Sequence, residues 1–292
     1  MRLIYYGTPA LAVPPLRRLV ADGRAPLLVM TRPDRPRGRG LASGPSPVKD
    51  AALQLGLPVE TPPRAGAPEA IERIRDLRPD LLIVAAFGQI FPAALLEVPR
   101  LGALNVHYSL LPRHRGAAPV QAALLAGDAE TGVTTMWMTE GLDEGPIALA
   151  CATPIAAGED ATTLGMRLAE LGAACLAATL ERIEAGEIRR EPQDAARATV
   201  AGKLRPRDAR LDLADAPELL ARRVRAFARE PGAWLELEGD RLLVLAAEVG
   251  RDTAGAEPPG TVLAVDRARG LEIAAANGSL WLVRVKPSGR KE

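Results

Sequence analysis

The sequence predicts an α/β domain with a mostly parallel sheet, followed by a small all-β lobe. Three observations carry this. Short, almost wholly apolar runs such as LIYY, LLVM and LLIVAAF have the character of strands buried on both faces. Between them lie stretches with apolar residues at helical spacing, and strands alternating with helices make βαβ units. After about Gly186 the pattern changes to closely spaced strands parted by Gly-rich turns, as in a small OB-like β-barrel.

Residues 2–6, RLIYY, form the first strand, which Gly7 ends. In TPALAVPPLRRLVADG, Thr8 offers an N-cap and Pro9 fits a first helical turn, while Pro14 and Pro15 bend or delay the helix. The turn reads G-T-P, so the G-x-G-x-x-G dinucleotide fingerprint is absent. LLVMT, residues 27–31, is the second strand. Residues 31–49 hold five basic residues, one acid and many Pro and Gly, and so form neither helix nor central strand. A loop of that length is either a solvated surface segment or a mobile arm that grips phosphates.

Helices at 47–56 and 67–77 flank a short strand near 58–60. LLIVAAF, residues 81–87, is a buried strand, and Gly88-Gln89 turns out of it. A strand at 104–107 comes next, then a helix at about 117–126. GVTTMWM (132–138) alternates with a period of two, GLDEGPI turns, and IALACATPI returns as a strand. A long helix spans 161–186, with Leu164, Leu168, Leu171, Leu176 and Leu180 at apolar spacing. Residues 187–214 are mixed and polar. A helix at 216–228 and the strands AWLEL, RLLVLAAEV, GTVLAVD, LEIAAA and SLWLVRV complete the chain. The division expected is a catalytic domain at 1–188, a linker at 189–207 and a β-barrel domain at 208–292.

The net charge is +1, so a nucleic-acid partner would have to be met by a local patch. Residues 189–229 supply one, with eleven Lys or Arg against six Asp or Glu. Two cysteines and two histidines without metal-ligand spacing indicate a reduced, cytoplasmic protein with no metal. The N-terminus lacks a signal-peptide apolar core, and no run approaches the roughly 18 apolar residues of a membrane span.

Asn105 and His107 stand two apart on a strand, so both point to one face. They lie near its carboxyl end, where open α/β sheets bind ligands. Asp143 follows His107 by 36 residues, in the turn between Gly141 and Gly145. It is either a turn residue bonding its own backbone or a third member of the set. No G-x-S-x-G is present, and Cys151 and Cys175 fall in an apolar strand and helix, as buried thiols do. Asn, His and Asp suit acyl transfer to an amine that is itself the nucleophile. Asn105 can donate to a developing oxyanion. His107 can donate too, or take the amine's proton. Asp143 can orient the imidazole and stabilise its cation.

NVHYSLLPRHRGAAP, followed by TGVTTMWM and GLDEGPI, resembles the formyltransferases that use 10-formyltetrahydrofolate, and among them the branch acting on methionyl-tRNA. The resemblance runs from GTPALAVP through TRPDRPRGRG, PSPVK, FGQIFP and AELGA to RAFAREPGAW and GTVL. It implies a Rossmann-like formyltransferase domain joined to a barrel-like C-terminal domain. It implies 10-formyltetrahydrofolate as co-substrate and initiator methionyl-tRNA as acceptor, with Asn105, His107 and Asp143 as the catalytic triad. Ser109, Leu110, Leu111 and Pro112 are implied to hold the folate, with Phe87, Gly88, Gln89 and Ile90 beside them. Arg39, preceded by Arg35 and Arg37, is implied to meet the acceptor end of the tRNA. A monomer without metal is expected. Departures from the family pattern are His114 in place of Trp, and Glu144 and Pro146 beside Asp143. An amino-sugar nucleotide formyltransferase would share the triad but would not explain R-P-D-R-P-R-G-R-G.

Overall fold

The computed structural model describes residues 1–37, 42–237, 239–252 and 257–287. It divides into two compact units: Met1–Pro119 with Glu130–Pro154 and Gly165–Ala201, and Val120–Ala129 with Ile155–Leu164 and Gly202–Glu292. The first eleven strands are β1 (Leu3–Gly7), β2 (Leu28–Met30), β3 (Arg35–Arg37), β4 (Ala42–Gly44), β5 (Val59–Glu60), β6 (Leu81–Ala85), β7 (Ala103–His107), β8 (Arg115–Gly116), β9 (Glu130–Trp137), β10 (Ile147–Pro154) and β11 (Val200–Ala201). The helices among them are α1 (Val13–Ala21), α2 (Pro47–Gln54), α3 (Pro68–Asp76), α4 (Ala93–Leu96), α5 (Pro119–Ala126) and α6 (Ala161–Glu184).

Seven strands make the main sheet, in the order β10-β9-β7-β6-β1-β2-β5. The five from β7 to β5 are parallel, β9 runs antiparallel to β7, and β10 runs antiparallel to β9. Ile4, Tyr6, Leu28, Met30, Leu82 and Val84 share one face and pack with Ile71 and Ile74 of α3 and with Phe87, Phe91 and Leu95. Leu3, Tyr5, Leu81 and Ile83, on the other face, are equally buried. Burial on both faces is why these strands read as unbroken apolar runs.

The two prolines delay the first helix rather than bend it. A 3-10 turn at Ala10–Ala12 comes first, and Pro14 and Pro15 then sit in the first turn of α1, where a missing N–H costs nothing. Thr8 is not the N-cap expected, because the 3-10 turn starts after Pro9 without a side-chain cap. Buried phenols hold that turn instead: Tyr5 Oη donates to Ala12 O at 2.5 Å and Tyr108 Oη to Leu11 O at 2.6 Å.

Residues 31–49 include an isolated hairpin, β3 paired antiparallel with β4, separate from the main sheet. Its base is fastened by Thr31 Oγ1 to Ser46 Oγ at 2.7 Å and by Lys49 Nζ to Asp34 at 2.8 Å. Ser46 also caps α2, accepting from Lys49 N at 3.0 Å. Arg35 and Arg37 lie on β3; Arg39 lies outside the described residues.

Helix α6 is 24 residues long. By length and composition it could cross a bilayer, and 61% of its most apolar stretch is buried inside the fold. It crosses close over the Val106 and Tyr108 face of β7, since a Cβ at Gly172 would stand 3.1 Å from Val106 and 3.3 Å from Tyr108. Asn105 and His107 therefore point to the opposite face.

The second unit carries α7 (Pro217–Ala226) and five strands: β12 (Ala233–Leu237), β13 (Asp240–Val249), β14 (Val262–Asp266), β15 (Gly270–Ala275) and β16 (Gly278–Pro287). They form one antiparallel sheet in the order β12-β13-β16-β15-β14. Register shifts at Val244/Ala246 and Val262/Ala264 mark bulges, which bend a sheet. The barrel-like lobe expected from the sequence thus takes the form of a bulged five-stranded sheet.

Candidate active site

Strand β7 aims Asn105 and His107 at one face, and Asp143 meets them there. Asn105 Nδ2 donates to Asp143 Oδ1 at 3.3 Å. His107 Nδ1 lies 3.5 Å from Asp143 Oδ2, and the same oxygen accepts from Gly116 N at 2.8 Å. Asp143 reaches them by an indirect path. Trp137 at the end of β9 pairs with Leu104 near the start of β7. The connection to β10 therefore leaves from the end of the sheet opposite the Ser109 turn, and folds back over the face to bring Asp143 to Asn105. Asp143 is thus no strand-end residue. Its φ is +51°, a left-handed conformation that Asp tolerates better than most residues.

The tautomer of His107 follows from its neighbours. Nε2 is 2.9 Å from His114 O, and a carbonyl only accepts, so Nε2 carries a proton. In the neutral ring the lone pair is on Nδ1, facing Asp143. Burial pushes the His107 pKa down, against the pull of Asp143 and of the His114 carbonyl, so the ring is neutral near pH 7. The chemistry available is a hydrogen-bond donor, a base and a carboxylate at one point.

The turn after β7 is braced internally. Ser109 Oγ donates to Arg113 O at 2.7 Å, Thr134 Oγ1 donates to Ser109 O at 2.7 Å, and Leu111 N donates to Thr134 Oγ1 at 3.1 Å. The Leu111–Pro112 peptide is cis, and Leu110 is left half-buried. Of the residues after β6, Phe87 turns inward, its ring edge-on to Tyr6 and Phe91. Gln89 bridges Pro63 O at 3.2 Å and Ala65 N at 2.7 Å. Gly88 has φ +71° and its carbonyl accepts from Arg32, while Ile90 is 83% exposed. Cys175 is buried with its thiol pushed up by that burial, as a structural thiol would be. Among the described residues, no group of three or more His, Cys, Asp or Glu is placed to hold a metal ion.

Sequence reasoning missed the contacts of residues 191–201, which lie wholly within the expected linker at 189–207. Ile147 and Glu191 exchange backbone hydrogen bonds at 2.7 and 2.9 Å. Gln193 Nε2 donates to the carbonyls of Asp143 at 2.9 Å and Gly145 at 2.7 Å. Arg115 donates to Gln193 Oε1 through Nε at 3.0 Å and Nη2 at 2.7 Å. Thr199 Oγ1 accepts from His114 N at 2.8 Å, and β11 pairs with β8. At Gly116 the strand comes so close that a Cβ would strike Ala201 O, and φ there is +122°. No periodicity announces such contacts; a lone Gln among charged residues was the only local sign.

Comparison with known proteins gives concordant results. Residues 18–180 match the family "Formyl transferase", and residues 203–292 match "Formyl transferase, C-terminal domain". The methionyl-tRNA formyltransferase of Halorhodospira halophila is 51% identical over 293 residues, covering 100% of this chain and 93% of the relative. That of Thiobacillus denitrificans is 46% identical, with 100% and 93% covered. Among solved structures, the N-formyltransferase from Helicobacter canadensis, in complex with folinic acid and dTDP-3-aminofucose, has a TM-score of 0.71 at 15% identity, over 98% of this chain and 100% of that one. HypX from Aquifex aeolicus, in complex with tetrahydrofolic acid, has a TM-score of 0.66 at 18% identity, over 99% of this chain and 44% of that one. At these identities the two structures bear on the fold alone.

Proposed function

Because the chain belongs to the formyl transferase family, we propose that it moves a formyl group from 10-formyltetrahydrofolate to the α-amine of initiator methionyl-tRNA. We further propose Asn105, His107 and Asp143 as the residues that do so. The observation that carries this is the meeting of the Asn105 amide and the His107 imidazole at the two oxygens of one carboxylate. Full-length identity to curated methionyl-tRNA formyltransferases supports the choice of acceptor.

In this reading the amine nitrogen bonds to the formyl carbon and the carbonyl electrons move onto oxygen. Asn105 Nδ2 turns its N–H to that oxyanion, a contribution of about two to three powers of ten in rate. His107 Nδ1 takes the proton the amine sheds. The imidazolium that forms is stabilised on both sides, by His114 O on Nε2 and by Asp143 on Nδ1. Collapse breaks the bond to the folate nitrogen, which leaves with a proton as tetrahydrofolate. The exposed Ile90 and half-buried Leu110 offer the apolar surface that a pteridine needs. The backbone of Phe87–Ile90 and of Ser109–Pro112 is proposed to orient it. Arg35, Arg37 and Arg39 are proposed to contact the acceptor end, together with the basic residues between 189 and 229.

The test is direct. Purified protein, charged initiator tRNA and 10-formyltetrahydrofolate should yield formylmethionyl-tRNA, read by mass spectrometry after release of the amino acid. No product with the tRNA, but product with a nucleotide-linked amino sugar, would transfer the assignment to the sugar branch of the family. We propose a cytoplasmic, monomeric enzyme.

A further inference from the structure

We propose that Gln193 is a positioning residue for Asp143, and that residues 191–201 form a strap setting the geometry of the three-residue cluster from outside it. The proposal assumes the catalytic reading above only for its activity readout. Gln193 spans the turn that carries Asp143, with one amide nitrogen on the carbonyls of Asp143 and Gly145, either side of Glu144. Its orientation is not ambiguous. Arg115 only donates, so the amide oxygen must face the guanidinium and the NH2 must face the carbonyls. The turn needs such a hold, because Asp143 sits at φ +51°, where a residue other than glycine is not at rest.

The same strap anchors the other partners of the cluster. His107 leans on His114 O and Asp143 leans on Gly116 N. The segment carrying both is tied to the strap at each step: His114 N to Thr199 Oγ1, Arg115 N to Thr199 O at 2.8 Å, and Ala117 N to Ala201 O at 2.8 Å. Arg115 closes the circuit, since its backbone belongs to that segment and its side chain holds Gln193. A shift of the strap would displace the Asp143 turn and the His107 support together. Misplacing a reacting group by about 1 Å costs on the order of 100-fold in rate.

Two variants test this in the full-length protein. Gln193→Leu removes donor and acceptor. Gln193→Glu keeps the oxygen that Arg115 binds and nearly the same shape, but sets a carboxylate oxygen against two carbonyls. Both should lower kcat by about 100-fold with KM for either substrate little changed. The chain holds only two histidines, so ring-15N spectra read His107 without substrate; its titration midpoint should move in both variants. Folded variants with wild-type kcat and an unmoved His107 signal overturn the proposal. If neither variant folds, Gln193 is a structural residue and the proposal falls as well. If the parent chain formylates no tRNA yet His107 moves in the variants, the positioning role stands and the proposed function fails.

Discussion

His107 and Asp143 face each other across 3.5 Å, while the opposite ring nitrogen of His107 donates to the His114 carbonyl at 2.9 Å. The gap on the Asp143 side exceeds an ordinary hydrogen bond. It is the spacing of two acceptors, a carboxylate and an imidazole lone pair, waiting for one proton. In the reaction proposed above, the pair becomes bonded when His107 takes up that proton.

The first prediction concerns pH. Burial lowers the His107 pKa below its ordinary 6.5. The unfolded chain therefore takes up this proton at a higher pH than the folded one, and acidification favours unfolding. Stability should be fully present above 6.5 and decline as the pH falls through the lowered value. Denaturant titrations across pH 4.5–8, on the order of two units either side of a histidine's ordinary range, would show it. His107→Gln should flatten the part of the slope due to this group.

Asn105→Ala should cut kcat by about 100- to 1000-fold and leave folate affinity nearly intact, because its proposed partner is a charge that exists only in the transition state. Steady-state kinetics with both substrates varied would decide. A defect confined to KM would contradict the oxyanion role.

At Asp143 the backbone and the carboxylate can be separated. With φ at +51°, Asp143→Gly should be more stable than Asp143→Ala by about 1 kcal/mol, because glycine adopts that conformation without strain. Both variants lose the acceptor that Gly116 N and Asn105 use, so both should be equally inactive. Equal denaturant midpoints would show that the turn is not under strain.

Replacing Arg35, Arg37 and Arg39 together with Ala should weaken tRNA binding and reduce its salt dependence, by a slope of about one for each phosphate no longer neutralised. Folate binding should be unchanged. The two effects are read by titrating tRNA and folate separately over a salt series. An unaltered salt slope would place the phosphate-binding groups elsewhere.

Much of this was legible in the sequence. LIYY, LLVM and LLIVAAF gave away buried parallel strands, because strands covered on both faces have nothing polar to alternate with. Asn105 and His107 could be put on one face from spacing alone. The route of Asp143 could not. A hairpin loop that folds back over its own sheet looks, residue by residue, like one that ends in solvent. The supporting hydrogen bonds of Gln193 and Thr199 were equally hidden. They span 48 to 85 residues of sequence and are made largely to main chain, which leaves no side-chain pattern to read. The resemblance places Phe87 beside the folate, and nothing in the sequence shows that its ring packs edge-on against Tyr6 and Phe91 in the core.

The place of the strap in the chain also governs where the protein can be divided. The last strand of the main sheet ends at Pro154 and its long helix at Glu184. A fragment stopped at residue 188 would keep every strand of that sheet, yet it would discard Gln193, Thr199 and the β11 edge that lies on Gly116. A fragment stopped at Ala201 would retain them. Truncation at the first site should therefore yield an assembled scaffold with a slack centre, and truncation at the second a taut one. Residues 191–201 read as linker in the sequence, yet they belong to the N-terminal unit and, as proposed above, hold its centre in place.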